Sequence, residues 1–254
     1  MRLDCYLVEN KYYDTRTKAK QAIERGEIYV NGKKTEKCSL DVCGEVNIEI
    51  KSRIEYVSLG GYKLEKALDD FNLSVNGLTV ADVGASTGGF TDCVLQRGAK
   101  KVFSVDLRDD LLHSRLKNDD RVVSVIKNAK ALTERDFSNK IDLIVADLSF
   151  ISIKQVMPVF YNLIDQGKRL LILIKPQFET GKRMRFKNGI IRDEKIHYEV
   201  CRSVFNQSIE CGFSPIAITT APISKDKNTE FLFLLKKDCE KGIADFDRFY
   251  KNIR

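Results

Sequence analysis

The sequence predicts two parts: a small α+β module over residues 1–53, followed by an α/β domain built on a parallel, doubly wound sheet. Apolar, strand-length runs alternate with helical patterns between residues 78 and 175, which is typical of a parallel sheet covered by helices. The first of these runs ends in an acid and a glycine-rich turn at residues 82–89, as in sheets that cradle a nucleotide-like ligand. The module before them has helix and hairpin patterns of its own.

Composition and charge limit the class of protein. The chain has 254 residues, of which 43% are hydrophobic and 31% charged, enough for one full α/β domain and a small appendage. Because the longest apolar runs have only strand length and the start lacks a signal-peptide core, we expect a cytoplasmic protein without a membrane span. The seven cysteines form no C-x-x-C pair and accompany only two histidines, so neither disulfides nor a metal site is expected. The net charge of +7 suits an anionic partner.

The N-terminal module combines two predicted helices with a hairpin. An apolar face at residues 3–7 predicts a short helix, and Thr15 is placed to N-cap a second helix at residues 16–25. The pair Asn31-Gly32 tolerates positive φ, so it predicts a turn between strands at residues 27–30 and 46–50.

The motifs of this module, R-L-D and then T-R-x-K-A-K-x-x-I-x-x-G-x-I-x-V-N-G-K, resemble the S-four-type (S4) RNA-binding domain. The resemblance implies contacts with structured RNA. Arg16 and Lys20 lie one helical turn apart and are placed to meet successive phosphates. The alternative interpretation is that each lysine is a solvated surface charge. The expected RNA-binding residues are Arg2, Arg16, Lys18, Lys20, Asn31 and Lys33.

The second domain, expected at residues 62–240 after a linker at 54–61, has its cofactor turn in the first strand–helix connection. The glycine spacing differs from the G-x-G-x-x-G of dinucleotide folds, and Asp106 ends the next strand, where a carboxylate can accept hydrogen bonds from a ribose diol. Together these features favour S-adenosylmethionine, with a plain β–α turn as the alternative. The expected cofactor residues are Asp82, Gly84, Ser86, Gly88, Gly89, Phe90 and Asp106, with Asn128 at the adenine.

The order of elements changes after residue 175. A long helix is predicted at residues 193–211, followed by strands at 216–221 and 230–236. Two adjacent strands suggest an antiparallel edge hairpin, as in the seven-stranded sheet of methyltransferases. Residues 241–254 are expected to form a tail.

Polar residues at the ends of buried strands are the candidates for chemistry. Asp147 and Lys175 each close such a strand, so both are expected at the carboxyl edge of the sheet above the cofactor turn. A lysine at this position is costly to desolvate unless a carboxylate partners it, and Asp147 is the candidate. Lys63 precedes the cofactor strand and Glu230 opens the last strand. Sequence spacing alone leaves open whether the four side chains meet.

A second resemblance covers nearly the whole chain. The motifs G-G-Y-K-L-E-K-A-L, D-V-G-A-S-T-G-G-F-T, V-A-D-L-S-F-I-S, I-K-P-Q-F-E, G-I-I-R-D and N-T-E-F-L occur in this order and resemble the TlyA family, often named haemolysins. That family is similar to the FtsJ group of ribose 2′-O-methyltransferases. The resemblance implies a Rossmann-like, seven-stranded sheet that binds S-adenosylmethionine, and methylation of cytidine ribose in 16S or 23S ribosomal RNA. Its K-D-K-E tetrad falls on Lys63, Asp147, Lys175 and Glu230, while Leu59 stands where the family commonly has arginine.

The expected mechanism makes one lysine the base. A free lysine is protonated at neutral pH, so a basic lysine needs desolvation or a neighbouring cation. Lys63 is the expected cation for Lys175, with Asp147 and Glu230 orienting both and no metal required. Three alternatives stay open: an ion-pair cluster without a base, a non-catalytic RNA-binding or ribosome-assembly factor, and a membrane-active haemolysin. The last would need a broad apolar face, which the sequence lacks. Oligomeric state is left open.

Overall fold

In the computed structural model the chain forms two compact units, Met1–Glu55 and Tyr56–Arg254. The structure describes residues 1–24, 26–44, 46–50, 56–108, 110–180, 189–222, 227–238 and 245–253. Each unit has its own apolar core: one cluster in the first, and one on each side of the sheet in the second.

The first unit packs two helices on a small antiparallel sheet. Its elements are α1 (Leu3–Glu9), α2 (Arg16–Glu24), β1 (Ile28–Val30), β2 (Lys33–Lys34) and β3 (Ile48–Ile50), with strand order β2-β1-β3. The Thr15 hydroxyl accepts a hydrogen bond from the Lys18 amide at 3.3 Å, as expected of an N-cap. Asn31 and Gly32 both have positive φ, 52° and 75°, which suits a tight hairpin turn. The predicted helices and the turn at Asn31-Gly32 are confirmed, but the turn leads into β2, and the strand predicted at 46–50 pairs as β3 with the other edge of β1.

The second unit is a seven-stranded sheet with helices on both faces. Its elements are α3 (Leu59–Asp70), β4 (Thr79–Val83), α4 (Gly89–Gln96), β5 (Lys101–Asp106), α5 (Ser114–Lys117), β6 (Val122–Ile126), β7 (Ile141–Ala146), α6 (Met157–Leu163), β8 (Ile164–Ile174), α7 (Pro176–Glu179), α8 (Glu194–Glu210), β9 (Phe213–Thr220), β10 (Phe231–Lys237) and α9 (Phe246–Lys251). The strand order is β6-β5-β4-β7-β8-β10-β9. The predicted parallel sheet and the long helix α8, with Asp193 at its N-cap, are confirmed.

The last two strands form the expected antiparallel edge hairpin. Within it, β10 is the inner strand, antiparallel to both β8 and β9, and β9 is the edge strand. The physical reason is burial: residues 231–235 of β10 are buried without alternation, whereas β9 has exposed and half-buried positions. A strand apolar on both faces belongs inside a sheet.

Two expected boundaries also differ. Of the linker expected at residues 54–61, residues 54 and 55 lie outside the described residues, and α3 already begins at Leu59. A Cβ on Gly61 would lie 2.3 Å from the Tyr56 ring, so Gly61 serves close packing and not a flexible connection. In the expected tail, α9 buries Phe246 and Phe249 in the core.

Candidate functional site

Four polar residues of the sheet lie on one face at its carboxyl edge. The strand residues facing α3 and α4 share one core cluster, and they include Val80, Val145, Leu173 and Leu232. Each candidate polar residue lies two positions from one of these, namely Asp82, Asp147, Lys175 and Glu230. Because side chains alternate along a strand with a period of two, all four project from the same face.

The predicted tetrad forms two adjacent ion pairs. Lys175 pairs with Asp147, and the Lys63 Nζ lies 2.6 Å from Glu230 Oε2. Strand β10 sets Phe231 opposite Ile174, so the next position in the same register brings Glu230 opposite Lys175. The Lys175 side chain is only 10% exposed. The structure thus brings together the four residues that spacing alone did not join.

A fifth polar residue contacts this cluster and was missed by the sequence analysis. The Lys175 Nζ donates a hydrogen bond to the Ser149 hydroxyl at 2.8 Å. A single serine after an acid carries no periodic signal, and its only sequence clue is its position just beyond Asp147 at a strand end.

Two cavities adjoin the tetrad at the carboxyl edge. The larger, about 440 Å³, is lined by Asp106, Asn128, Lys127 and the apolar side chains of Leu107, Leu111, Leu148 and Ile151, among others. The smaller, about 210 Å³, is lined by Ser58, Gly89, Phe90 and Lys175, among others. Gly84, Ser86, Asp147 and Ser149 line both cavities. Lys175 therefore lines a small cavity that is next to the larger one and shares one wall with it.

Asp106 holds the glycine-rich turn through backbone amides. Its Oδ2 accepts a hydrogen bond from the Ser86 amide at 2.8 Å and its Oδ1 accepts one from Leu107 at 2.7 Å. Each carboxylate oxygen has capacity for another donor. A Cβ on Gly84 would lie 2.5 Å from the Asp147 carbonyl oxygen, so only glycine fits where the turn approaches that strand end.

Two of the expected cofactor residues line neither cavity. Asp82 is fully buried, and its Oδ2 accepts hydrogen bonds from the Thr91 amide and hydroxyl at 2.8 and 2.7 Å, which ties α4 to β4. Burial raises the pKa of Asp82 to about 7. Gly88 is the N-cap of α4 with φ of 92°, and a Cβ there would lie 2.2 Å from Leu116 Cδ1. Both residues therefore support the glycine-rich turn without lining the cavities.

The larger cavity fits a nucleoside in size and chemistry. Ligand sites usually enclose about 300–1,000 Å³ with mostly apolar walls and a few placed polar groups. Here a carboxylate acceptor at Asp106 and the Asn128 side chain stand among leucine and isoleucine walls. The Asn128 Oδ1 also accepts a hydrogen bond from the Lys130 amide at 2.9 Å. The residues present therefore suit a diol and a flat base.

In the first unit, three of the six expected RNA-binding residues meet at one buried acid. Asp4 is fully buried, and its carboxylate is 3.0 Å from Arg2 Nε, 2.8 Å from Arg16 Nε and 4.0 Å from Lys20 Nζ. Hydrogen bonding with Arg2 holds the pKa of Asp4 well below its usual range. The cations themselves are 43–51% exposed, so they form a positive surface around a buried anion. Asp4 was not singled out from the sequence.

The other three expected RNA-binding residues lie apart from this cluster. Lys18 pairs with Asp14 at 2.9 Å. The Asn31 side chain accepts a hydrogen bond from the Asn47 amide at 2.9 Å, which fixes the hairpin. Lys33 is exposed on β2.

Among the residues that the structure describes, no helix is long and apolar enough to cross a bilayer. Within the same ranges, no three histidine, cysteine or acidic side chains are grouped as metal ligands.

Comparisons with known proteins place the chain among its relatives. A family model described as FtsJ-like methyltransferase matches residues 56–238, and one described as S4 domain matches residues 1–47. Hemolysin A of Brachyspira hyodysenteriae is 40% identical over 91% of this chain and 98% of its own. The 16S/23S rRNA (cytidine-2′-O)-methyltransferase TlyA of Mycobacterium tuberculosis is 31% identical over 96% of this chain and 92% of its own. A solved structure provisionally named a hemolysin, from Streptococcus thermophilus, has a TM-score of 0.74 and 34% identity, covering 99% of this chain and 94% of that one.

Proposed function

We propose that this chain, which belongs to the FtsJ-like methyltransferase family and carries an N-terminal S4 domain, methylates the ribose 2′-hydroxyl of cytidine in ribosomal RNA. The observation that carries the proposal is Lys175, which borders the smaller cavity and is paired with Asp147. A nearly buried lysine in a small cavity that shares lining residues with a nucleoside-sized one is suited to act on a hydroxyl placed beside the cofactor. A ribosomal RNA substrate implies action in the cytoplasm.

The cofactor would be S-adenosylmethionine, held by residues that line the cavities. These are Gly84, Ser86, Gly89, Phe90, Asp106 and Asn128. When bound, this cofactor supplies a methyl group already activated by its sulfonium. The Asp106 carboxylate is placed to accept hydrogen bonds from a ribose diol. The glycines of the turn allow the backbone to approach the ligand closely.

Lys175 has the role of general base in this proposal. Its amine takes the proton of the 2′-hydroxyl as that oxygen gains the methyl group, and Asp147 orients the amine. Lys63, held by Glu230 at 2.6 Å, places a second ion pair at the neighbouring strand end and completes the polar border of the site. The remainder of the rate comes from holding the reacting oxygen in line with the methyl group.

The substrate assignment rests on the relatives and on the first unit. The M. tuberculosis relative is named for 16S and 23S ribosomal RNA and for cytidine 2′-oxygen. The cations around Asp4 form a positive surface, and such surfaces bind RNA phosphates.

The test is transfer of labelled methyl from S-adenosylmethionine to unmethylated small and large ribosomal subunits. We expect label on at least one subunit with wild type and none with Lys175→Ala. Lys140→Ala is the matched control, because Lys140 is 84% exposed and pairs with Asp165 before β7 begins; it should transfer label normally. Equal label with Lys175→Ala would remove this lysine from the base role. No label with wild type, together with tight RNA binding, would favour a non-catalytic assembly factor.

A further inference from the structure

Ser149 occupies a distinctive position between the cavities and the tetrad. It lies two residues beyond Asp147, lines both cavities, and accepts a hydrogen bond from Lys175 Nζ at 2.8 Å. The residue itself is exposed. Among the residues that the structure describes, its hydroxyl has no hydrogen-bond partner other than Lys175. The contact therefore serves Lys175 more than it serves the fold.

The hydrogen bond to Ser149 limits the directions in which the Lys175 nitrogen can point its lone pair. The nitrogen is tetrahedral, with one position taken by its own carbon chain. The hydrogen bond to the Ser149 hydroxyl occupies one more position and uses one of its hydrogens, and the Asp147 carboxylate lies against another side of the nitrogen as its ion-pair partner. One position is left, and in the neutral amine it is the lone pair. With both anchors in place the lone pair has a single direction; with one anchor the amine rotates about its terminal carbon bond.

We propose that Ser149 is a positioning residue that fixes the direction of the Lys175 lone pair toward the ribose 2′-hydroxyl. This inference rests on the proposed function, since it assigns Ser149 a part in the same proton transfer. Ser149 acts through Lys175 and not on the methyl group. Accepting the lysine hydrogen bond also leaves the serine's own hydrogen free to donate toward the cavities it lines.

The kinetic test compares Ser149→Ala and Ser149→Thr with wild type. A hydrogen bond of ordinary strength corresponds to about a tenfold change in rate, so we expect kcat for Ser149→Ala to fall about tenfold. The KM for RNA and the affinity for S-adenosylhomocysteine should stay within about twofold of wild type. Ser149→Thr keeps a hydroxyl and should recover most of the lost kcat. Ser124→Ala, on the far strand β6 with an exposed side chain, is the matched control and should have normal kcat.

The outcomes separate a positioning role from a structural one. A structural role would lower thermal stability and raise KM together, and threonine would not restore kcat. Unchanged kcat in Ser149→Ala would overturn the proposal while leaving the proposed function intact.

A second readout does not depend on activity. Crystal structures of wild type and Ser149→Ala with S-adenosylhomocysteine should show Lys175 Nζ in one position in the wild type and displaced or in several positions in the variant. An unmoved, singly placed Nζ in the variant would overturn the proposal. If wild type transfers no methyl group, the proposed function fails, and this structural comparison still decides whether Ser149 orients Lys175.

Discussion

Replacing Asp4 with asparagine removes the buried charge that holds three cations of the S4 unit together. Asparagine has nearly the same shape but no charge, so the guanidiniums of Arg2 and Arg16 lose their anion. Breaking a buried ion pair from one side typically costs about 3–5 kcal/mol. Here the two arginine side chains are 46% and 51% exposed, so water takes over part of the interaction, and we expect a loss of about 1–3 kcal/mol.

Hydrogen exchange of the α1 and α2 amides in the full chain measures this loss, because it reports the free energy of opening of one unit without unfolding the other. A unit of this size has a small free energy of unfolding, so the loss caused by Asp4→Asn should be a large fraction of it. Asp14→Asn is the control. Asp14 makes its ion pair with Lys18 on the surface, where it is 84% exposed, and its loss should leave exchange in both helices unchanged.

The pH dependence of the Asp4 effect has a definite sign. The pKa of folded Asp4 is lowered by its arginine partners, so the unfolded chain takes up a proton at higher pH than the folded unit. The stabilisation is complete above the ordinary aspartate pKa of about 3.9 and fades as pH falls toward the lowered value. The difference between wild type and Asp4→Asn should therefore shrink below about pH 4. No difference at pH 7, or one that widens on acidification, would refute the argument.

Two further predictions concern the RNA surface and the cofactor turn. Arg16→Ala combined with Lys20→Ala should weaken RNA binding and flatten its salt dependence, since each lost phosphate contact reduces the slope of log K against log salt by about 0.7–0.9; filter binding over a salt series measures this, and an unchanged slope would contradict it. Gly89→Ala should weaken binding of S-adenosylhomocysteine about tenfold or more, because its Cβ would lie 2.2 Å from Ser58 Oγ and 2.9 Å from the Gly61 nitrogen, and overpacking costs about 1–3 kcal/mol. Isothermal titration calorimetry measures this affinity. An unchanged affinity in Gly89→Ala would show that the turn accommodates a Cβ and would contradict the prediction.

The sheet was largely predictable because its strands are apolar runs of the right length. The edge hairpin was predicted from the two adjacent terminal strands, and the unbroken apolar run from Phe231 to Leu235 explains why β10 is its inner strand. Strand β8 was expected to begin near Arg169, because the residues just before it are polar. In the structure it begins at Ile164, which pairs with Ile141 of β7. The helical start at residues 59–61 was not predicted, since the sequence does not show that Tyr56 packs against Gly61.

The site was predictable where topology alone decides position. Asp147 and Lys175 end neighbouring parallel strands, so their meeting followed from the sheet. Lys63 is on a helix, and only the structure shows its contact with Glu230. Asp82 was expected to bind the cofactor, but its side chain points inward and holds α4. The sequence places Asp82 at the strand end for either role and therefore does not distinguish them. Burial of Asp4 was missed, because a charge near a chain start is usually solvated.

The identity of the methylated atom tests the central claim most directly. Subunits are incubated with enzyme and labelled S-adenosylmethionine, the RNA is digested to nucleosides, and the labelled nucleoside is identified by mass spectrometry. The account predicts 2′-O-methylcytidine with wild type and with Lys140→Ala, and none with Lys175→Ala. Label on a base carbon or nitrogen, or 2′-O-methylcytidine formed at the wild-type rate by Lys175→Ala, would contradict it.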